Sequence, residues 1–204
     1  MQITKFVHSC VRLEDGARSL VIDPGVFSDV EAALDGVDAV LITHEHADHV
    51  DPVRLRAAVQ LNSALRVWAP QSVVDTFADL GDHMIAVAPG DTFTAGGFAV
   101  ETAGGQHALI HPSIPMIANV AYLVEGVFHP GDSFTVPTGR VEHLLAPITA
   151  PWSKVGEVID FVVSVRAPRV SGIHDAIVTP AGLGIVEGHV ARIGGEHGSE
   201  YVRL

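Results

Sequence analysis

Thr43-His44-Glu45-His46-Ala47-Asp48-His49 follows directly on the apolar run Ala39-Val40-Leu41-Ile42 and leads into Val50-Asp51-Pro52. Three imidazoles and two carboxylates thus fall within six consecutive residues, straight after what reads as a buried strand. So many titratable groups at a strand end are costly unless something binds there. Imidazole nitrogen with carboxylate oxygen is the ligand set that suits zinc and neighbouring divalent metals. In a turning segment His44 and His46 can point to one side and share an ion. Asp48 and His49 come later, displaced enough to serve a second ion. Glu45 alternates away from its neighbours and is left out of the set.

The rest of the chain supports a folded enzyme-sized unit. Its 204 residues are 48% hydrophobic and 18% charged, enough to bury a substantial core in one domain. A net charge of −12 argues against a nucleic-acid or anionic-membrane surface, so the expected partner is a small molecule. Assembly into a homo-oligomer stays open. The single cysteine, Cys10, cannot form an internal disulfide, and no stretch approaches a membrane span. With no leader-like N-terminus, a cytoplasmic protein is expected.

Residues 3–13 alternate as one strand, with a hairpin at Glu14-Asp15-Gly16 and a second strand over 19–22 that runs into Asp23-Pro24-Gly25. A capping box, Ser28 to Glu31, starts a short helix. Asp51-Pro52 starts another, Arg66–Ala69 is a strand, and Gln71–Leu80 a helix that stops at Gly81. Beyond Thr92 the chain turns to hairpins. It then returns to strand–helix units, with helices over roughly 153–167 and from about Thr179, and a strand over 169–173. Alternating strands and helices indicate an α/β class.

Further ligands should sit at strand exits or in glycine-rich loops. His107 follows Gly104-Gly105, Asp132 follows Pro130-Gly131, and His174 follows Gly172-Ile173. His8, on the first strand, reads equally as core packing or substrate contact. His111, four residues past His107 and ahead of Pro112, suits a proton donor or a grip on an anionic substituent. His129, before Pro130, reads equally as structural.

His44-x-His46-x-Asp48-His49 resembles the HxHxDH signature of the metallo-β-lactamase-fold hydrolase superfamily, and the order of later elements is similar along nearly the whole chain. The likeness is nearest to the small hydrolases of the ascorbate-phosphate lactonase-like branch. It implies a four-layer αββα sandwich: one domain over 1–204 with two βα halves, roughly 1–98 and 99–204. It also implies a binuclear site, with His44, His46 and His107 on one ion, Asp48, His49 and His174 on the other, and Asp132 bridging. Two divalent ions, Zn2+ first and Mn2+ or Fe2+ as alternatives, would generate a metal-bound hydroxide that cleaves an ester, lactone or phosphoester bond. The catalytic set is then Asp48, Asp132 and His111, with Asp23 bracing the metal loop. A non-catalytic metal sensor and a phosphodiesterase or nuclease of the same fold are the alternatives.

Overall fold

A computed structural model describes residues 1–204 and contains two mixed sheets. The first holds β1 (Gln2–Lys5), β2 (Val11–Asp15), β3 (Arg18–Ile22), β4 (Ala39–Leu41), β5 (Arg66–Ala69) and β6 (Met84–Ala86), in chain order. It begins with antiparallel pairs and is parallel from β3 onward. Three helices, α1 (Val30–Leu34), α2 (Pro52–Leu61) and α3 (Gln71–Thr76), interleave with it.

The second sheet repeats this plan. It holds β7 (Thr92–Ala95), β8 (Phe98–Gln106), β9 (Ala118–Val124), β10 (Val127–His129), β11 (His143–Pro147), β12 (Arg169–Ile173) and β13 (Glu200–Tyr201). Its hairpins come first and its parallel pairs start at β10–β11. Helices α4 (Val155–Val165) and α5 (Pro180–Glu196) belong to this half. The chain changes sheet between Ala86 and Thr92, ahead of residue 98.

Strand alternation explains the layering. Leu20 and Ile22 of β3 and Leu41 of β4 join Tyr122, Val124 and Leu145 in a core between the sheets. Val21 and Val40, pointing the other way, pack with Val30, Leu55 and Val59 of α1 and α2. Leu144 and Val170 likewise meet Val158, Phe161 and Val162 of α4. Parallel strands covered on both faces need apolar residues on both, which is why residues 20–22 of β3, 39–41 of β4 and 144–146 of β11 read as continuous hydrophobic runs. The result is helix, sheet, sheet, helix.

Three local expectations change. Residues 3–13 are two strands joined by a tight turn, in which Phe6 N–H donates to Cys10 O and Cys10 N–H to Val7 O. The backbone reverses through positive φ at Val7 (69°) and His8 (55°), conformations that periodicity does not register. The α1 cap is Asp29, which accepts from Ala32 N–H, while the Ser28 hydroxyl donates to Val7 O. The helix expected over 71–80 breaks after Thr76 into a 3-10 turn over Ala78–His83, where Gly81 takes φ 54°. No helix is long and apolar enough to cross a membrane.

Candidate metal centre

The C-terminal ends of the parallel strands converge where the sheets meet, the position in which α/β folds hold ligands. Asp23 ends β3, the run 43–49 follows β4, Asp132 follows β10 and His174 follows β12. His107 comes off the hairpin strand β8. Two glycines make the approach possible. A side chain at Gly25 would lie 1.8 Å from the Asp48 carbonyl, and one at Gly131 would lie 2.7 Å from Thr43 Cβ.

Asp23 organises the first-sheet side. It is fully buried, at φ 51°, and accepts from Thr43 N–H, Thr43 Oγ1–H and His49 Nδ1–H, each at 2.7 Å. Thr43 Oγ1, having donated its proton, accepts from His44 Nδ1 at 3.0 Å. His107 Nδ1 donates to Ala108 O and His174 Nδ1 to Thr149 O, both at 2.6 Å. Each of these four rings therefore commits its Nδ1–H to an outer partner and turns Nε2 inward. That is how ligand imidazoles are set by their outer partners.

Ligand atoms of His44, His46, His107 and Asp132 lie within 4.8 Å of one another, as do those of His8, Asp48, His49 and His174. Asp132 spans both groups. Its Oδ1 stands 3.1 Å from His49 Nε2, and its Oδ2 stands 3.3 Å from His107 Nε2 and 3.1 Å from His174 Nε2. Asn119 fixes it by accepting from Asp132 N–H while donating to Pro130 O. The buried atoms His49 Nε2, His107 Nε2 and Asp132 Oδ1 have no hydrogen-bond partner. Buried polar atoms are rarely left so, and several aimed at one point suit an ion as their common partner. The donor set fits divalent metals.

The electrostatics agree. Burial and the charge of His49 push His44 well below the usual histidine range, leaving it the neutral ring a metal requires. Burial would raise Asp132, but His49, His107 and His174 together hold it well below the usual carboxylate range. Burial would also lower His49, yet Asp132 and Asp23 draw it well above, so metal-free the cluster favours a proton where an ion would sit. Burial opposes ionisation of Asp48 too, but the hydrogen bond from His8 and the charges of His49 and His174 together outweigh it and bring it to about 2.

His8 and Trp152 enlarge the set. His8 is fully buried in the β1–β2 turn, so it packs and also faces the cluster. Its Nδ1 accepts from Ala176 N–H at 3.2 Å, which places the ring proton on Nε2, donating to Asp48 Oδ2 at 3.1 Å. A ring nitrogen carrying a proton cannot ligate, so His8 orients Asp48. Trp152 Nε1–H donates to Asp132 Oδ2 at 2.9 Å. Its place after β11, another parallel-strand end, is the only signal the sequence offers for it. His111 is not brought into the cluster. It lies on an exposed loop with Nδ1 bound to Ser113 Oγ at 2.7 Å, and it lines neither cavity beside the metal ligands. His129 is structural: Gly131 N–H donates to its Nδ1 and its Nε2 donates to Ser9 O.

Residues 2–174 match the family model described as the Beta-lactamase superfamily domain. The chain belongs to this superfamily. Protein Rv0786c of Mycobacterium tuberculosis is 40% identical over 200 residues, covering 95% of this chain and 92% of that one. A UPF0173 metal-dependent hydrolase of Rhizobium etli is 31% identical over 120 residues, 53% of this chain and 48% of its own length. Among solved structures, Igni18, a metallo hydrolase from the archaeon Ignicoccus hospitalis, superposes with a TM-score of 0.75 at 18% identity, covering 99% of this chain and 94% of that one. That likeness shows a shared fold.

Proposed function

We propose that this member of the β-lactamase superfamily is a metal-dependent hydrolase with a two-ion centre that cleaves an ester, lactone or phosphoester-type bond in a small molecule. His44, His46 and His107 would hold one ion; Asp48, His49 and His174 the other; Asp132 would reach both. The observation that carries this reading is the convergence of unpartnered buried His49 Nε2, His107 Nε2 and Asp132 Oδ1. When bound, such ions supply Lewis acidity to the scissile group and to water.

The chain's own groups do the rest. Asp132, gripped by Asn119 and Trp152, keeps its carboxylate ionised and aimed at both ligand groups. Asp48 is the less buried of the two carboxylates and faces the open cavity, where, kept ionised by His8, it can accept a hydrogen bond from the attacking water and orient it. The cavity of ≈360 Å³ beside it is walled by Phe27, Pro151, Trp152 and Ile177, which give the reacting bond apolar neighbours. An open cavity at the ligand cluster distinguishes a catalytic site from a closed structural one and disfavours the sensor alternative.

Zinc is our first choice of metal, with manganese or iron acceptable to the same nitrogen and oxygen donors. The test is a hydrolysis panel of lactones, thioesters, phosphodiesters and β-lactams on protein of measured metal content. Turnover abolished by Asp132→Ala in a folded protein is the expected result. Metal-driven change of oligomeric state with no turnover would favour the sensor.

A further inference from the structure

Next to the ligand cluster lies a second cavity of ≈260 Å³, formed by Ala108, Leu109, Ile110, Ile114, Met116 and Ile117 together with the rings of His46 and His107. It is continuous with the metal centre through those two histidines, which also line the first cavity. Fifteen large hydrophobic residues are exposed on the whole chain, and seven of them line these two cavities, among them Phe27, Leu109, Ile114, Met116 and Ile177. Single exposed apolar residues are ordinary, but a contiguous set around a polar centre marks a binding surface.

Charge narrows the occupant further. Neither lining contains a lysine or arginine. Lys5 is engaged by Asp175 at 2.5 Å and by Gly172 O at 3.0 Å. The charged groups on the linings beyond the ligands reduce to Glu45, which repels anions. A phosphate or sulfonate outside the metal centre would find no counter-charge, whereas an alkyl or aryl group would find apolar walls.

We propose that the wall built by residues 108–117 receives the aliphatic or aromatic portion of the substrate, so that this enzyme acts on a hydrophobic ester or lactone rather than on a phosphorylated compound. The inference rests on the hydrolase reading above. In the reaction the acyl C–O bond breaks, water oxygen bonds to the acyl carbon, and the water protons leave with the alcohol and to solvent. At roughly the 30 Å³ that a water molecule occupies for each carbon, the second cavity holds a chain of about eight atoms.

The experiment measures affinity, not turnover. Straight-chain hydroxamates from acetyl to octanoyl are titrated by calorimetry into protein loaded with zinc, whose content is measured first. Affinity should rise about fourfold per methylene until the cavity fills. The rise should flatten in Ile114→Asp and in Leu109→Asn, two exposed positions whose variants should keep their fold and metal content. Binding of the acetyl member with no chain-length dependence overturns the inference and leaves the hydrolase reading standing. Co-sedimentation with phosphatidylcholine vesicles, or self-association in sedimentation velocity, together with a flat series, assigns the apolar wall to a membrane or to a second copy and equally overturns it. Protein that neither retains zinc nor binds any member overturns the hydrolase reading and this inference with it.

Discussion

Residues 43–51 and residues 107–117 meet across one cleft, where His46 and His107 share both cavities, and they are held very differently. The first run is tied down at nearly every position. Asp23 grips Thr43 and His49, Val120 N–H donates to Thr43 O across the sheets, Val26 N–H donates to Ala47 O, and Asp51 caps α2 through Val53 and Arg54. The second run is anchored at its base, where His107 N–H donates to Ile117 O and Ala108 N–H to Asp132 O. Beyond that it is fastened chiefly by a turn in which Ile114 N–H donates to His111 O. Its middle is exposed and apolar. Ligand geometry needs an over-determined backbone; a wall that selects substrates does not.

Asp23→Ala breaks that contrast most severely. It leaves Thr43 and the His49 ring buried without their acceptor, and we expect a loss of about 3–5 kcal/mol with depletion of both ions, read by chemical denaturation and elemental analysis. Next comes His8→Ala. Without its Nε2–H donor Asp48 is free to turn, and the affinity of the ion held by Asp48, His49 and His174 should fall about 10–100-fold. The ion at His44, His46 and His107 should stay, as metal-chelator competition would show.

Cys10 probes whether the braced run opens. It packs in one cluster with Ile42 and Val50, and burial pushes its thiol up to about 12. A raised thiol pKa keeps the neutral, unreactive form across pH 7–9, with a thiolate fraction near pH 9 of roughly one in a thousand. Native protein should resist iodoacetamide throughout that range, and fast labelling would mean that residues 43–51 move far more than their hydrogen bonds imply. The smallest effect is expected from His111→Ala. With the ring turned to Ser113 and outside both cavities, kcat/KM should stay within about twofold, the usual range for an exposed side chain. A hundredfold loss at full metal content would restore the proton-donating role that the sequence suggested.

Much of this was legible in the sequence because the decisive signals are local. The apolar runs 20–22 and 39–42, the cap-then-proline starts at Asp51 and Thr179, and the HxHxDH spacing each announce an element within a few residues. His107, Asp132 and His174 were readable as polar residues at glycine-lined strand exits, and their convergence is a product of tertiary structure. The turn at Val7 and His8 was not legible, since left-handed backbone at a valine leaves no periodic trace. Trp152 and the tautomer of His8 depend on partners at Asp132 and Ala176, far off in the chain. His111 shows the opposite failure: nearness in sequence to His107 did not place it in the cleft.

The central proposal is that one cluster of eight polar side chains holds two ion sites that share Asp132. Elemental analysis of the native protein beside His49→Ala, on samples verified as folded, tests it directly. Two divalent ions per chain in the native protein and one in the variant are predicted. One ion or fewer in the native protein, or the same content in both, would contradict the account.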